Sequence, residues 1–147
     1  MNSEKNKSGF RFSDPQLVEC IYLENGEYNK EYSSIGNIRF EISKTINKII
    51  EIEKSNNHGS TVFLTVATDD KINFKEDIAC YIRLTMKADF VWDKNEITDD
   101  EAKSFLNINA PALLLSYIRP KIHDLTRDAK ITTQDIPFID FTSVSNN

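Results

Sequence analysis

The clearest pattern of apolar and polar positions runs over residues 78–92. Ile78, Cys80, Ile82, Leu84, Met86, Ala88 and Phe90 alternate with Tyr81, Arg83, Thr85, Lys87 and Asp89. A period of two over this length predicts a long strand with one buried and one wet face. Such a strand belongs to an antiparallel sheet covered by helices on a single side, so the expected fold is α+β with a four-stranded antiparallel sheet. Residues 16–23 form the first expected strand, apolar on both faces, and Ile38, Phe40 and Ile42 alternate with Arg39, Glu41 and Ser43 in the second. Its continuation fits a helical stripe through Ile42, Ile46, Ile49 and Ile50, or a strand; the stiff β-branched isoleucines favour a strand that bends near Asn47. Residues 56–59 have hairpin-turn composition, and residues 61–67 read as the third strand.

Two helices are expected after the sheet. Thr98 and Glu101 have capping-box spacing and start a short one that runs to about Leu106. Asn109 then serves as an N-cap, with Pro111 in the first turn. Leu114, Tyr117, Ile118, Lys121, Ile122 and Leu125 follow at spacings of three and four, a stripe that faces a core or a partner. Pro120 predicts a kink or a boundary. Downstream, Pro137 excludes the apolar residues 131–141 from a central strand.

Composition narrows the classes. The 147 residues suit one domain, expected over residues 14–147, with the polar residues 1–13 disordered. A net charge of −5 from 18 basic and 23 acidic residues supplies no basic field for nucleic acid. The first ten residues have no apolar core of a signal peptide, and the longest apolar run, residues 110–115, is far short of a membrane span. A soluble, cytoplasmic protein is expected. Cys20 and Cys80 then read as two buried thiols in a reducing compartment.

No constellation of residues in the sequence carries catalytic chemistry. Gly9, Gly26, Gly36 and Gly59 are too scattered for a phosphate-binding loop, and His58 and His123 read as surface residues. The acidic groups at residues 69–70 and 99–101 read as a turn and a charged helix start, not as a calcium site. No catalytic residue, metal or cofactor is expected. The aromatic residues carry more information. Phe90, Trp92, Phe105, Tyr117, Phe138 and Phe141 concentrate in the C-terminal half, where they form a core or line an exposed apolar groove.

The run Leu114, Leu115, Ser116, Tyr117, Ile118, Arg119, followed by Pro137, Phe138, Ile139, Asp140, Phe141, resembles the C-terminal signature of the SecB family of bacterial protein-export chaperones. The resemblance implies a four-stranded sheet with helices on one face, assembled as a homotetramer. In that dimer of dimers the helices meet in the middle, which casts Leu114, Ile118, Ile122 and Leu125 as the oligomer interface. It also implies a holdase that binds unfolded or precursor polypeptides without ATP, with the six aromatic residues as client contacts. Family members dock on the motor SecA through acidic sheet residues, whereas Arg83 stands here at the position of a docking glutamate and few residues follow Phe141. The expectation is therefore client holding without full coupling to SecA. A SecB-like chaperone of a toxin–antitoxin pair, with an antitoxin as partner, is one alternative. A small-ligand-binding α+β domain is another.

Overall fold

The computed structural model describes residues 9–142. Six strands make one antiparallel sheet: β1 (Phe10–Phe12), β2 (Gln16–Glu24), β3 (Glu41–Ile46), β4 (Ile50–Glu51), β5 (Asn57–Ala67) and β6 (Cys80–Asp93). Among the described residues one α-helix, α1 (Asp99–Arg127), packs on one face, chiefly over β5 and β6. The strands lie in four lanes. β6 pairs with β5 on one side and with β1 and β2 on the other, while β3 and β4 share the far side of β5. The expected four-stranded sheet is thus present with both outer lanes interrupted.

β6 and β5 form the centre, each paired on both edges and each carrying apolar residues at alternate positions toward the helix. Cys80, Ile82, Leu84, Met86, Ala88, Phe90 and Trp92 are buried beneath α1, alongside Val62, Leu64 and Val66 of β5. On the opposite face, Thr65 and Thr85 are hydrogen-bonded across the strands at 2.7 Å, and Arg83 Nε donates to Glu19 Oε1 at 2.5 Å. Thr85 Oγ1 also donates to that carboxylate at 3.1 Å.

Several boundaries differ from expectation for identifiable reasons. The hairpin turn lies at residues 53–56, where Lys54 takes a positive φ of 61°, and Asn57 to Gly59 already belong to β5. Gly59 is needed for packing: a Cβ there would sit 3.1 Å from the Phe90 carbonyl oxygen and 3.2 Å from Ile52 Cδ1. The isoleucine-rich stretch is a strand that breaks after Ile46 and resumes at Ile50, as its β-branching favours. Ile38 and Phe40 precede the strand in irregular backbone. Of the segment expected to be disordered, residues 1–8 lie outside the described residues, and Phe10 to Phe12 pair with Phe90 to Trp92. Phe10 stacks on Phe105 at a centroid distance of 3.9 Å and lies 5.5 Å from Trp92. That aromatic contact supplies the driving force which three polar-flanked residues do not advertise.

The two expected helices are one, 29 residues long, begun by the expected capping box of Thr98 and Glu101. Asn109 is therefore an interior residue and not an N-cap. Pro111 deprives the carbonyl of Asn107 of its partner four residues on, and Lys44 of β3 reaches across to donate from Nζ to that oxygen at 2.8 Å. A lysine on the core side of a strand thus repairs the break. Pro120 frees the carbonyl of Ser116 on the exposed side of the helix, where water serves, and the helix runs through.

After α1 the chain returns over the end of the sheet as an irregular strap, residues 128–142, with Ile131, Gln134, Ile136 and Phe141 buried. Gln134 fastens it: Nε2 donates to Gly36 O at 3.0 Å, and Oε1 accepts from Ile38 N at 2.8 Å.

Two measurements follow. Lys44→Met leaves a half-buried carbonyl without a donor and should cost about 1–3 kcal/mol. In a Pro111→Ala background the restored N–H makes the same change nearly neutral, so urea melts around this cycle should give a coupling of at least about 1 kcal/mol. Hydrogen bonding from Arg83, with help from Thr85 against the effect of burial, lowers the Glu19 carboxyl below its ordinary value of 4.5. A depressed carboxylate stabilises the fold above that value and ceases to as pH falls through its folded pKa. The pair is about a third exposed, so the difference between wild type and Glu19→Gln should be about 0.5 kcal/mol at pH 7 and disappear as pH falls through the lowered folded pKa.

Candidate polypeptide-binding surface

The sheet alternation and the position of α1 decide which apolar side chains remain uncovered. Cross-strand partners share a face, so Phe12, opposite Phe90, and Leu17, opposite Met86, lie on the helix side of the sheet. They nevertheless stay 37% and 52% exposed, because α1 lies mainly over the two inner lanes. Val18, at a bulge between Leu17 and Glu19, and Leu23 are also exposed. Among the described residues no strand pairs with the outer edge of β2. Nine residues of edge backbone therefore run beside an apolar strip.

A second uncovered region lies where α1 meets the strap. Phe138 is 79% exposed, with the Arg119 guanidinium 3.8 Å from its ring centroid. Arg119 Nε is itself held by the carbonyl of Ile136 at 2.6 Å, so the ring rests on a fixed cation. Tyr117 is 41% exposed on the helix. A third region is the loop of residues 68–79, where Ile72 and Phe74 project into solvent.

The six expected client-contact residues divide. Tyr117 and Phe138 are exposed. Phe90, Trp92 and Phe141 are core, with exposures of 0%, 0% and 4%, which corrects the expectation that they line an open groove. The reason is position: Phe90 and Trp92 share the β6 face that α1 covers, and Phe141 ends the strap against the core. Phe105 is half-buried against Phe10 and Phe90, so it too belongs to the aromatic cluster that pins β1. The expected oligomer stripe meets the same correction. Leu114, Ile118 and Ile122 are fully buried on this chain's own sheet and Leu125 is partly so, leaving none of the three free for a partner helix.

The remaining chemistry-bearing residues also find places. Cys80 is buried, and burial pushes its thiol up to about 11, whereas Cys20 is exposed on β2, against the expectation of two buried thiols. His58 is not a turn residue: its ring is mostly buried, with Nδ1 2.9 Å from Asp99 Oδ1. His123 lies on the helix flank, 2.7 Å from Asp135. Among the described residues no group of three or more His, Cys, Asp or Glu is placed to hold a metal, and no helix is long and apolar enough to cross a membrane.

Sequence reasoning missed the β2 strip and the loop pair Ile72 and Phe74. The signal for the first was present, since residues 16–23 are apolar on both faces. Such a strand is either central or an edge that expects company, and the structure places it at an edge.

The sequence matches no protein-family model and no curated protein. Solved structures do match. The Mycobacterium tuberculosis Rv1957 SecB-like chaperone, in complex with a ChAD peptide from the Rv1956 HigA1 antitoxin, superposes with a TM-score of 0.60 at 12% identity, over 93% of this chain and 95% of that one. A protein of unknown function from Streptococcus agalactiae superposes with a TM-score of 0.45 at 14% identity, over 89% of this chain and 94% of that one, and carries no further argument. The first likeness spans nearly the whole of both chains and establishes the architecture: this is a SecB-like α+β fold, with one helix packed on a six-stranded antiparallel sheet.

Proposed function

We propose that this protein is a molecular chaperone of the holdase type, a cytoplasmic binder of non-native polypeptides that uses no ATP. The observation that carries the reading is the set of large apolar side chains left uncovered on an ordered framework, with Phe138 the most open and Ile50, Leu17 and Ile72 each more than half exposed at separate sites. Burying each such side chain contributes only about 1.5–3 kcal/mol, so a chain is held by many weak contacts, independently of its sequence. Tyr117 and Phe138 are the client contacts on the helix and strap. Binding the unfolded form draws the client's folding equilibrium toward it by mass action.

The reading includes assembly as a dimer of dimers. Pairing of β2 with β2 of a second copy satisfies its edge and covers Leu17 and Val18, a role the buried α1 stripe does not perform. The choice between export and an antitoxin client is informed by the outer sheet face. There Arg83 neutralises Glu19, which lessens the acidity that docking on SecA requires. The solved relative holds an antitoxin peptide. Together these favour a dedicated antitoxin or another non-secreted chain as the client over a precursor delivered to SecA.

Mixed at near-stoichiometric ratio with a chemically unfolded test protein, the chain should suppress its aggregation, and Tyr117→Ser with Phe138→Ser should raise the amount needed by about threefold or more. Both residues are exposed, so the variant's melting temperature should stay within about two degrees of wild type. No suppression by the wild-type chain would refute the reading. Light scattering should give a particle of roughly 68 kDa, four times the 16.9 kDa chain, and Leu17→Lys with Val18→Lys should shrink it.

A further inference from the structure

Phe138 is held in place although almost nothing covers it. It is 79% exposed on irregular backbone, where a lone ring ordinarily samples several rotamers. Here the ring lies over the Arg119 guanidinium, 3.8 Å from its centroid, and leaves its other face to solvent. Arg119 is half-buried on α1, one residue past the fully buried Ile118, at the margin of the helix face that packs on the sheet.

The cation is fixed by the same strap that carries the ring. Arg119 Nε donates to the Ile136 carbonyl oxygen at 2.6 Å. Only Pro137, whose φ is locked by its own side chain, stands between that carbonyl and Phe138. Ile136 is 3% exposed and Phe141 is 4% exposed, so the segment that bears Phe138 is tied to the core at both ends. One helical turn beyond Arg119, His123 lies 2.7 Å from Asp135 and adds a second tie between helix and strap. The contacts run from Arg119 to Ile136, through Pro137 to Phe138, and back to Arg119 in a short closed circuit.

The chemistry of the side chain suits both contacts at once. A guanidinium is planar, so its Nε–H points in the plane toward the carbonyl while its flat face meets the ring. A lysine ammonium is a compact point charge and offers no such face.

We propose that Arg119 is the positioning residue of this surface: it keeps the Phe138 ring in one place, with one face open, before a polypeptide arrives. An ordered ring loses less freedom on contact than a mobile one, and immobilising one side chain is reflected in about a two- to tenfold change in affinity. The proposal rests on the chaperone reading and deepens it, because it gives a share in holding the client to a residue that acts through Phe138.

The test compares full-length wild type, Arg119→Met, Phe138→Ser and the double variant. Each is scored for the amount that half-suppresses aggregation of the unfolded test protein, at a temperature where thermal melts show all four folded. Arg119→Met should raise that amount about two- to threefold. In the Phe138→Ser background the same change should raise it no further. Arg119→Lys should behave as Arg119→Met does. The placement of the ring is read without any client by nuclear magnetic resonance: Arg119 side-chain protons beneath it should be shifted upfield in wild type and not in Phe138→Ser.

Wild-type holding by Arg119→Met or by Arg119→Lys overturns the proposal. So does an equal loss in both backgrounds, the outcome if Arg119 only braces the strap, and so does absence of the upfield shift. In each of these cases the chaperone reading stands as long as the wild-type chain suppresses aggregation. A wild-type chain that suppresses none defeats that reading and the positioning role with it.

Discussion

Everything in this molecule depends on β6 being hydrogen-bonded on both sides yet covered by a helix on only one face. Its alternation of apolar and polar residues fixes which face α1 takes. One helix about 10–12 Å across cannot cover four lanes spaced about 4.8 Å apart, so it lies mainly over the inner two. What the helix does not reach stays uncovered: Phe12 and Leu17 on the β1 and β2 lane are exposed although they lie on the core side. The exposed apolar strip is thus a geometric result of one helix on a wide sheet.

The aromatic residues divide according to the same constraint. Those on β6, together with Phe105 on α1, are drawn into a cluster that recruits Phe10 and converts three residues near the N-terminus into a strand. Tyr117 on the outer side of the helix and Phe138 on the strap have no sheet to face, whereas Phe141 ends the strap against the core. Phe138 rests on Arg119 and Tyr117 stays half in water. Buried and half-buried polar groups do the complementary work of holding irregular backbone in place: Asn25 and Gln134 for the two long connections, and the half-buried Lys44 for the carbonyl that Pro111 leaves without a donor.

How much of this the sequence displayed depends on the range of the interaction. The β6 alternation, the Thr98 capping box and the bend near Asn47 were legible because each is written within a few neighbouring residues. The continuity of α1 was not, because the group that rescues Asn107 lies on another element 63 residues away. Asn56 and Asn57 resemble a turn, yet the register of β4 on β5 required Gly59 for close approach and moved the turn back onto Lys54. For the candidate surface, the sequence marked Tyr117 and Phe138 along with four rings that prove to be wholly or largely packed, since hydrophobicity does not say which face a helix covers. Ile72 and Phe74 gave no periodic signal at all.

The central claim is that uncovered apolar side chains on a stiff sheet take hold of unfolded chains. Hydrogen exchange of the protein with and without a reduced, alkylated polypeptide that never folds tests this directly. Added protection should appear in residues 68–79 and in the strap around Phe138, with β5 and the centre of β6 unchanged. An exchange pattern identical in the presence and absence of that chain, at concentrations where the polypeptide is in excess, would contradict it.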